Sequence, residues 1–169
     1  SIESGGNYNV VVGDEAGTAL NTGDSNVAVG YAALTANTTA SNNTAVGYDS
    51  LKANTTGTEN TAVGTGALNA TITGSYNTAV GRSAALLTTG DFNIAVGRLA
   101  LRTNSSGSNN VSVGASSLYQ NTTASNNTAV GHTALANNTT GASNVAVGAD
   151  ALDSNTTADN NTAVGASAL

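Results

Sequence analysis

The side chains able to do acid–base, nucleophilic or metal chemistry are few in this 169-residue chain, and they do not converge in sequence. His132 is the single histidine, and Cys and Met are absent, so thiol chemistry, disulfide staples and most metal sites are excluded. No Ser and Asp stand at a recognisable triad spacing from His132, which reads as a solvated surface residue. Asp14, Glu15, Asp24, Asp49, Glu59, Asp91, Asp150, Asp153 and Asp159 are scattered. They form no Gly-Gly-x-Gly-x-Asp nonapeptide of the calcium-binding kind. Asn-Thr-Thr at Asn37, Asn54, Asn121, Asn138 and Asn155 matches the N-glycosylation acceptor pattern, although the same residue types also build turns. The chain is therefore expected not to be an enzyme and to need no cofactor or metal.

A second set of side chains suits recognition better than catalysis. Tyr31 and Tyr48 are 17 residues apart, while Arg82 and Arg98, and Tyr76 and Phe92, are 16 apart. Aromatic and Arg side chains are common anchors of binding surfaces and stack on sugars. Tyr31, Tyr48, Tyr76, Arg82, Phe92, Arg98 and Arg102 are accordingly the candidate contact surface, centred on the stretch from Tyr76 to Arg102. Their value depends on what brings residues so far apart in sequence side by side.

That element is an internal repeat. Gly13, Gly30, Gly47, Gly64, Gly81, Gly97, Gly114, Gly131, Gly148 and Gly165 recur every 17 residues, with one interval of 16 between Gly81 and Gly97. Each is preceded by Val: Val12, Val29, Val46, Val63, Val80, Val96, Val113, Val130, Val147 and Val164. Four residues before each Gly stands Asn: Asn9, Asn26, Asn43, Asn60, Asn77, Asn93, Asn110, Asn127, Asn144 and Asn161. Ala falls two before the Gly, with Val11 and Ser112 as exceptions, and Leu falls four after it in most units. In the short unit, Leu86 or Leu87 is expected to take the Leu place.

The alternation Thr-Ala-Val is the period of a short strand, and the Gly after it permits a turn that other residues would strain. No apolar stripe recurs at helical spacing. A lone unit buries too little apolar surface to offset the entropy of ordering its backbone, so units must stack, pairing each strand with the next. The expected fold is all-β: a parallel β-solenoid, or β-roll, of about ten coils with two short strands per 17-residue coil. Val and Leu are expected to share a narrow dry interior. The Ala column is expected either to face neighbouring chains or to allow tight coil spacing. Stacked Asn amides would bond to one another and to turn backbone. Residues 1–25 read as a divergent N-terminal coil that would cap the stack, and 26–169 as the regular repeats.

Asn-Thr-Ala-Val-Gly followed by Ala-Leu resembles the head repeat of trimeric autotransporter adhesins of the YadA type, and similar repeats of phage tail fibres. The resemblance covers essentially the whole chain, most clearly from Asn26 to Leu169. It implies a left-handed parallel β-roll assembled as a trimer, displayed on a cell or virion surface, and binding host-surface glycan or protein.

Composition bounds the partners further. Four basic residues and a formal net charge of −6 argue against nucleic acid, and no apolar run is long enough for a membrane helix. The start at Ser1 and the stop inside a unit read as those of a fragment or processed segment. The expected function is an extracellular structural fibre or adhesin segment, a rigid rod with multivalent surface binding. Two alternatives stand beside it. One is a filament subunit stacking end to end. The other is an ice-binding surface on the Thr pairs Thr38-Thr39, Thr55-Thr56, Thr122-Thr123, Thr139-Thr140 and Thr156-Thr157.

Overall fold

A computed structural model describes residues 6–169. Ten three-residue strands run from β1 (Val10–Val12) through β2 (Val27–Val29), β3 (Thr44–Val46), β4 (Thr61–Val63), β5 (Thr78–Val80), β6 (Ile94–Val96), β7 (Val111–Val113), β8 (Thr128–Val130) and β9 (Val145–Val147) to β10 (Thr162–Val164). They form one parallel sheet in sequence order. Pairing keeps identical columns opposite one another, as in Thr61↔Thr78, Ala62↔Ala79 and Val63↔Val80. The short unit preserves this register, with Val80 opposite Val96. The chain is thus an all-β solenoid in which each repeat is one rung. At roughly 4.8 Å per rung the stack is about 45 Å long.

Each coil contains one strand, not the two expected. The second segment fails as a strand because two of its residues lie in the left-handed region: Asp49 and Leu51 have φ of 56° and 47°, and the same holds for Leu99 and Leu101 at 61° and 52°. Such backbone is unusual for a bulky side chain and costs on the order of 1–3 kcal/mol per residue. It persists because rung-to-rung bonds over-determine it. Asp49 N–H donates back to the Tyr31 carbonyl at 2.9 Å, and Leu51 N–H donates forward to the Ala67 carbonyl at 3.0 Å. The segment therefore ladders with its neighbours without adopting extended geometry.

The strand's facing also differs from the expected one. Ala28, Ala45, Ala62, Ala79, Ala95, Ala129 and Ala146 are wholly buried in the interior, whereas Val63, Val80, Val96, Val130 and Val147 face outward. The Ala column is therefore not an outer face toward neighbouring chains. A three-residue strand admits one inward side chain, and here the opposite wall is close: Ala67, Ala84 and Ala100, three residues after the repeat Gly, are also buried, beside Leu68 and Leu101. A Val takes the central place only in β1, where Val11 packs against the core and Gly17 stands in the Leu place, a Cβ there lying 3.2 Å from Val11 Cγ2. The interior is thus Ala on Ala, closed by Leu.

Irregular coils show the same constraint. Ser112 replaces Ala on β7, and Ser117 replaces Ala on the facing wall of the same coil. Their hydroxyls lie 2.5 Å apart, and Ser117 Oγ donates to the Gly114 carbonyl at 3.0 Å, so the buried polar pair is satisfied. In the short unit neither Leu86 nor Leu87 fills the Leu place. Ala85 does, at φ 49° and buried, while Leu87 is exposed. In the first coil Gly17 stands in the Leu place, and Leu20, also buried, reaches back to it: a Cβ on Gly17 would lie 2.8 Å from Leu20 Cδ1. This divergent coil is a true rung of the sheet, since β1 pairs with β2 in register. The part of the expected cap in residues 1–5 lies outside the described residues.

Candidate binding surface

The repeat Gly positions everything that follows it. Gly64 has φ 128°, and a Cβ there would lie 2.7 Å from the Gly81 carbonyl oxygen of the next rung. Only Gly meets both the dihedral and the close approach, so the residue after each Gly is projected from an invariant corner. Tyr31, Tyr48, Arg82, Arg98 and His132 all occupy that place. Register then makes neighbours of residues 16 or 17 apart: Ser83 N–H donates to the Thr65 carbonyl at 2.9 Å, and Leu99 N–H donates to the Arg82 carbonyl at 3.0 Å.

Behind these rows stand two Asn ladders. In the first, each Oδ1 accepts from the backbone N–H of the next Asn, as in Asn60 N to Asn43 Oδ1 at 3.0 Å. Each amide group donates to a turn carbonyl one rung on, as Asn127 Nδ2 does to the Gly141 carbonyl at 2.9 Å. Asn-to-Asn amide bonds are fewer, for example Asn110 Nδ2 to Asn93 Oδ1 at 3.1 Å. The second ladder is built from the turn Asn residues. Asn121 Nδ2 donates to Asn104 Oδ1 and to the Ala124 carbonyl, both at 2.9 Å, and Asn138 repeats the pattern on Asn121 and Gly141. Asn37, Asn54, Asn121 and Asn138 are wholly buried, so their amides are not presented to a glycosylating enzyme. In the adjacent Thr pairs the second residue, as at Thr56, Thr123 and Thr140, is exposed, while hydroxyls of the first run along the stack. Thr55, Thr122 and Thr139 donate their hydroxyls to the carbonyls of Ile72, Thr139 and Thr156 on the following rung.

The candidate contact residues fall into three groups and not one. Tyr31 and Tyr48 stack with ring centroids 5.2 Å apart on the row after the Gly. The Tyr31 hydroxyl bonds to Glu15, which raises its pKa above the usual tyrosine value. Tyr76 and Phe92 stack at 4.8 Å and 3° on the other border of the strand, before the Asn column. Arg82 and Arg98 share the first row, two and three rungs beyond Tyr48, and Arg102 lies in the same coil as Arg98. Tyr119, which sequence reasoning passed over, is the partner of Arg102: the guanidinium lies 5.6 Å from its ring centroid, and Nη1 bonds to the hydroxyl at 3.3 Å. The 17-residue offset between Arg102 and Tyr119 was the available signal.

Lys52 and His132 each lie beside a carboxylate. Lys52 Nζ is 3.1 Å from Asp49 Oδ1, an interaction that raises the lysine pKa. His132 Nδ1 is 4.0 Å from Asp150 Oδ1, with the Thr133 hydroxyl bonded to both side chains. All three groups meet on one side of the imidazole, so no relay passes through the ring; His132 is largely exposed and Asp150 about half exposed. Among the described residues no group of three or more His, Cys, Asp or Glu is placed to hold a metal ion. No helix among them is long and apolar enough to cross a membrane. No family model, curated protein or solved structure matches the chain.

Proposed function

We propose that the chain is a segment of an extracellular structural fibre or adhesin, a stiff rod that assembles with copies of itself and presents contact groups along its turns. The observation that carries this reading is the outer face of the sheet. Its two columns contain only Val, Thr and Ile over ten rungs, with no charge. Val63, Val80, Val96, Val130 and Val147 each keep more than a third of their surface, in a strip running the length of the stack. Single exposed apolar residues need no explanation, but a continuous strip is the mark of an association surface. The resemblance to YadA-type repeats supports three chains around such a face. Contact groups on the outer rows would then be presented several times on one rod, which raises avidity without new contacts. No step in this role requires catalysis.

Light scattering tests the assembly. The expected particle has three times the 16.3 kDa mass of one chain. The variant Val63→Lys, Val96→Lys and Val130→Lys is expected to fall to the monomer mass while keeping its β-sheet spectrum, because these partly exposed sites let each ammonium reach water. A parent that stays at the mass of one chain at high concentration overturns the assembly reading. Long filaments in electron images would favour end-to-end stacking over lateral packing.

A further inference from the structure

We propose that Arg82, Arg98 and Arg102 form a binding site for an acidic polysaccharide, one carrying sulfate or carboxylate groups. This deepens the surface-binding part of the reading above and rests on it, but it does not need the lateral assembly. The three are the only arginines of the chain and fall within two consecutive coils. Arg82 and Arg98 are exposed on adjacent rungs, with the Leu99 N–H bonded to the Arg82 carbonyl. Like charges side by side across a rung destabilise a sheet. The single lysine, by contrast, is neutralised, since Lys52 is paired with Asp49. Among the described residues no arginine has a carboxylate partner. Between Asp49 and Asp150 the sequence holds only two carboxylates, Glu59 and Asp91. Both lie before the Asn column, on the far border of the strand, and Asp91 Oδ1 already accepts from Ser75 N–H at 2.8 Å.

The third arginine is held ready. Arg102 is ordered by stacking on Tyr119 and by the bond to its hydroxyl, which leaves its other N–H groups unspent. The equivalent place three repeats earlier holds the other long cationic side chain. Lys52, five residues after its Gly as Arg102 is, lies against Asp49 and within the electrostatic reach of Tyr48, the counterpart of Arg98. Arg102 follows Arg98 by four residues in the same coil, so one turn carries both. Planar guanidinium forks bind carboxylate and sulfate bidentately. A chain of net charge −6 with three clustered arginines concentrates its attraction locally, and this suits a flexible glycan better than a long nucleic acid.

The test is retention of the purified chain on immobilised heparin, hyaluronan and dextran at low ionic strength. Retention is expected on an acidic polymer and not on dextran; heparin alone identifies sulfate, and hyaluronan identifies carboxylate as sufficient. The variant Arg82→Ala, Arg98→Ala and Arg102→Ala is expected to bind roughly tenfold or more weakly, from the loss of charged hydrogen bonds, while Lys52→Ala binds as the parent does. Arg98→Glu alone, at an exposed site, supplies a second variant whose weakened retention is read with an unchanged circular dichroism spectrum. A parent that passes through both acidic columns, or a triple variant that elutes at the parent's salt concentration, overturns the site. Particle mass is measured in parallel. Multimeric rods that ignore both acidic polymers would remove this site alone and leave the fibre reading standing.

Discussion

At the residue scale the repeat Gly and the first Asn set the geometry of a rung. Gly64→Ala introduces a Cβ at φ 128° and 2.7 Å from the Gly81 carbonyl oxygen, an atom of the next rung's backbone that cannot rotate away. Strain and overpacking together are expected to cost on the order of 3 kcal/mol. Urea unfolding followed by circular dichroism would measure it, and a midpoint equal to the parent's would refute the close-approach account. These two columns were legible in the sequence because a requirement that binds every rung leaves no room for substitution. The facing of Ala62 was not. In Thr-Ala-Val the alternation is satisfied by either parity, and hydrophobicity favours Val inside. The decisive term is the distance to the opposite wall, set by Ala67 and Leu68 elsewhere in the coil. Nor does anything at Leu51 or Leu101 announce a left-handed backbone, which bonds to the neighbouring rungs impose.

At the element scale the informative place is the break in the second Asn ladder, where Thr71 and Thr88 replace Asn in coils four and five. Both are wholly buried. Thr71 Oγ1 donates to the Thr88 carbonyl at 2.6 Å, but Asn54 Oδ1 on one side and Thr88 Oγ1 on the other are buried without a partner. An orphaned buried acceptor costs about 1–3 kcal/mol. Thr71→Asn offers an amide to Asn54 Oδ1, and the Gly74 carbonyl stands three residues on, as Gly57 does for Asn54. A gain of about 1 kcal/mol is expected, read as a raised unfolding midpoint. Thr88→Asn is expected to gain nothing. Its coil lacks one residue, so Gly90 stands two residues on and the carbonyl falls out of place. Equal gains from both substitutions would mean that the ladder is not what stabilises these turns. The turn Asn column itself was visible in the sequence, but Asn-Thr-Thr reads as ordinary turn chemistry until burial shows each amide laddered to the next.

At the scale of the whole molecule, every described strand contacts only the rungs beside it in the sheet. Stability should then be a sum of rung and nearest-neighbour terms, in which any complete rung can be removed if the two that remain fit each other. Deleting residues 131–147 joins Val130 to Gly148 and removes one 17-residue unit. Asn127 Oδ1 then faces Asn161 N–H in place of Asn144 N–H, Asn121 Oδ1 faces Asn155 in place of Asn138, and Ala129 pairs with Ala163 in place of Ala146. Each new neighbour has the same residue type as the one it replaces, so the nine-rung chain is expected to keep its β-sheet spectrum and an unfolding midpoint close to the parent's, on a rod shorter by ~4.8 Å. Deleting only residues 131–138 places Thr139 after Val130, where Gly is required. It carries away Leu135 and Asn138 and leaves no turn to bring the chain back into register. That variant is expected to lose the sheet beyond β8 and to become sensitive to protease there. The full-rung deletion removes more than twice as many residues and should do less harm. The reverse order of damage would show that the coils are held by something other than their register with one another.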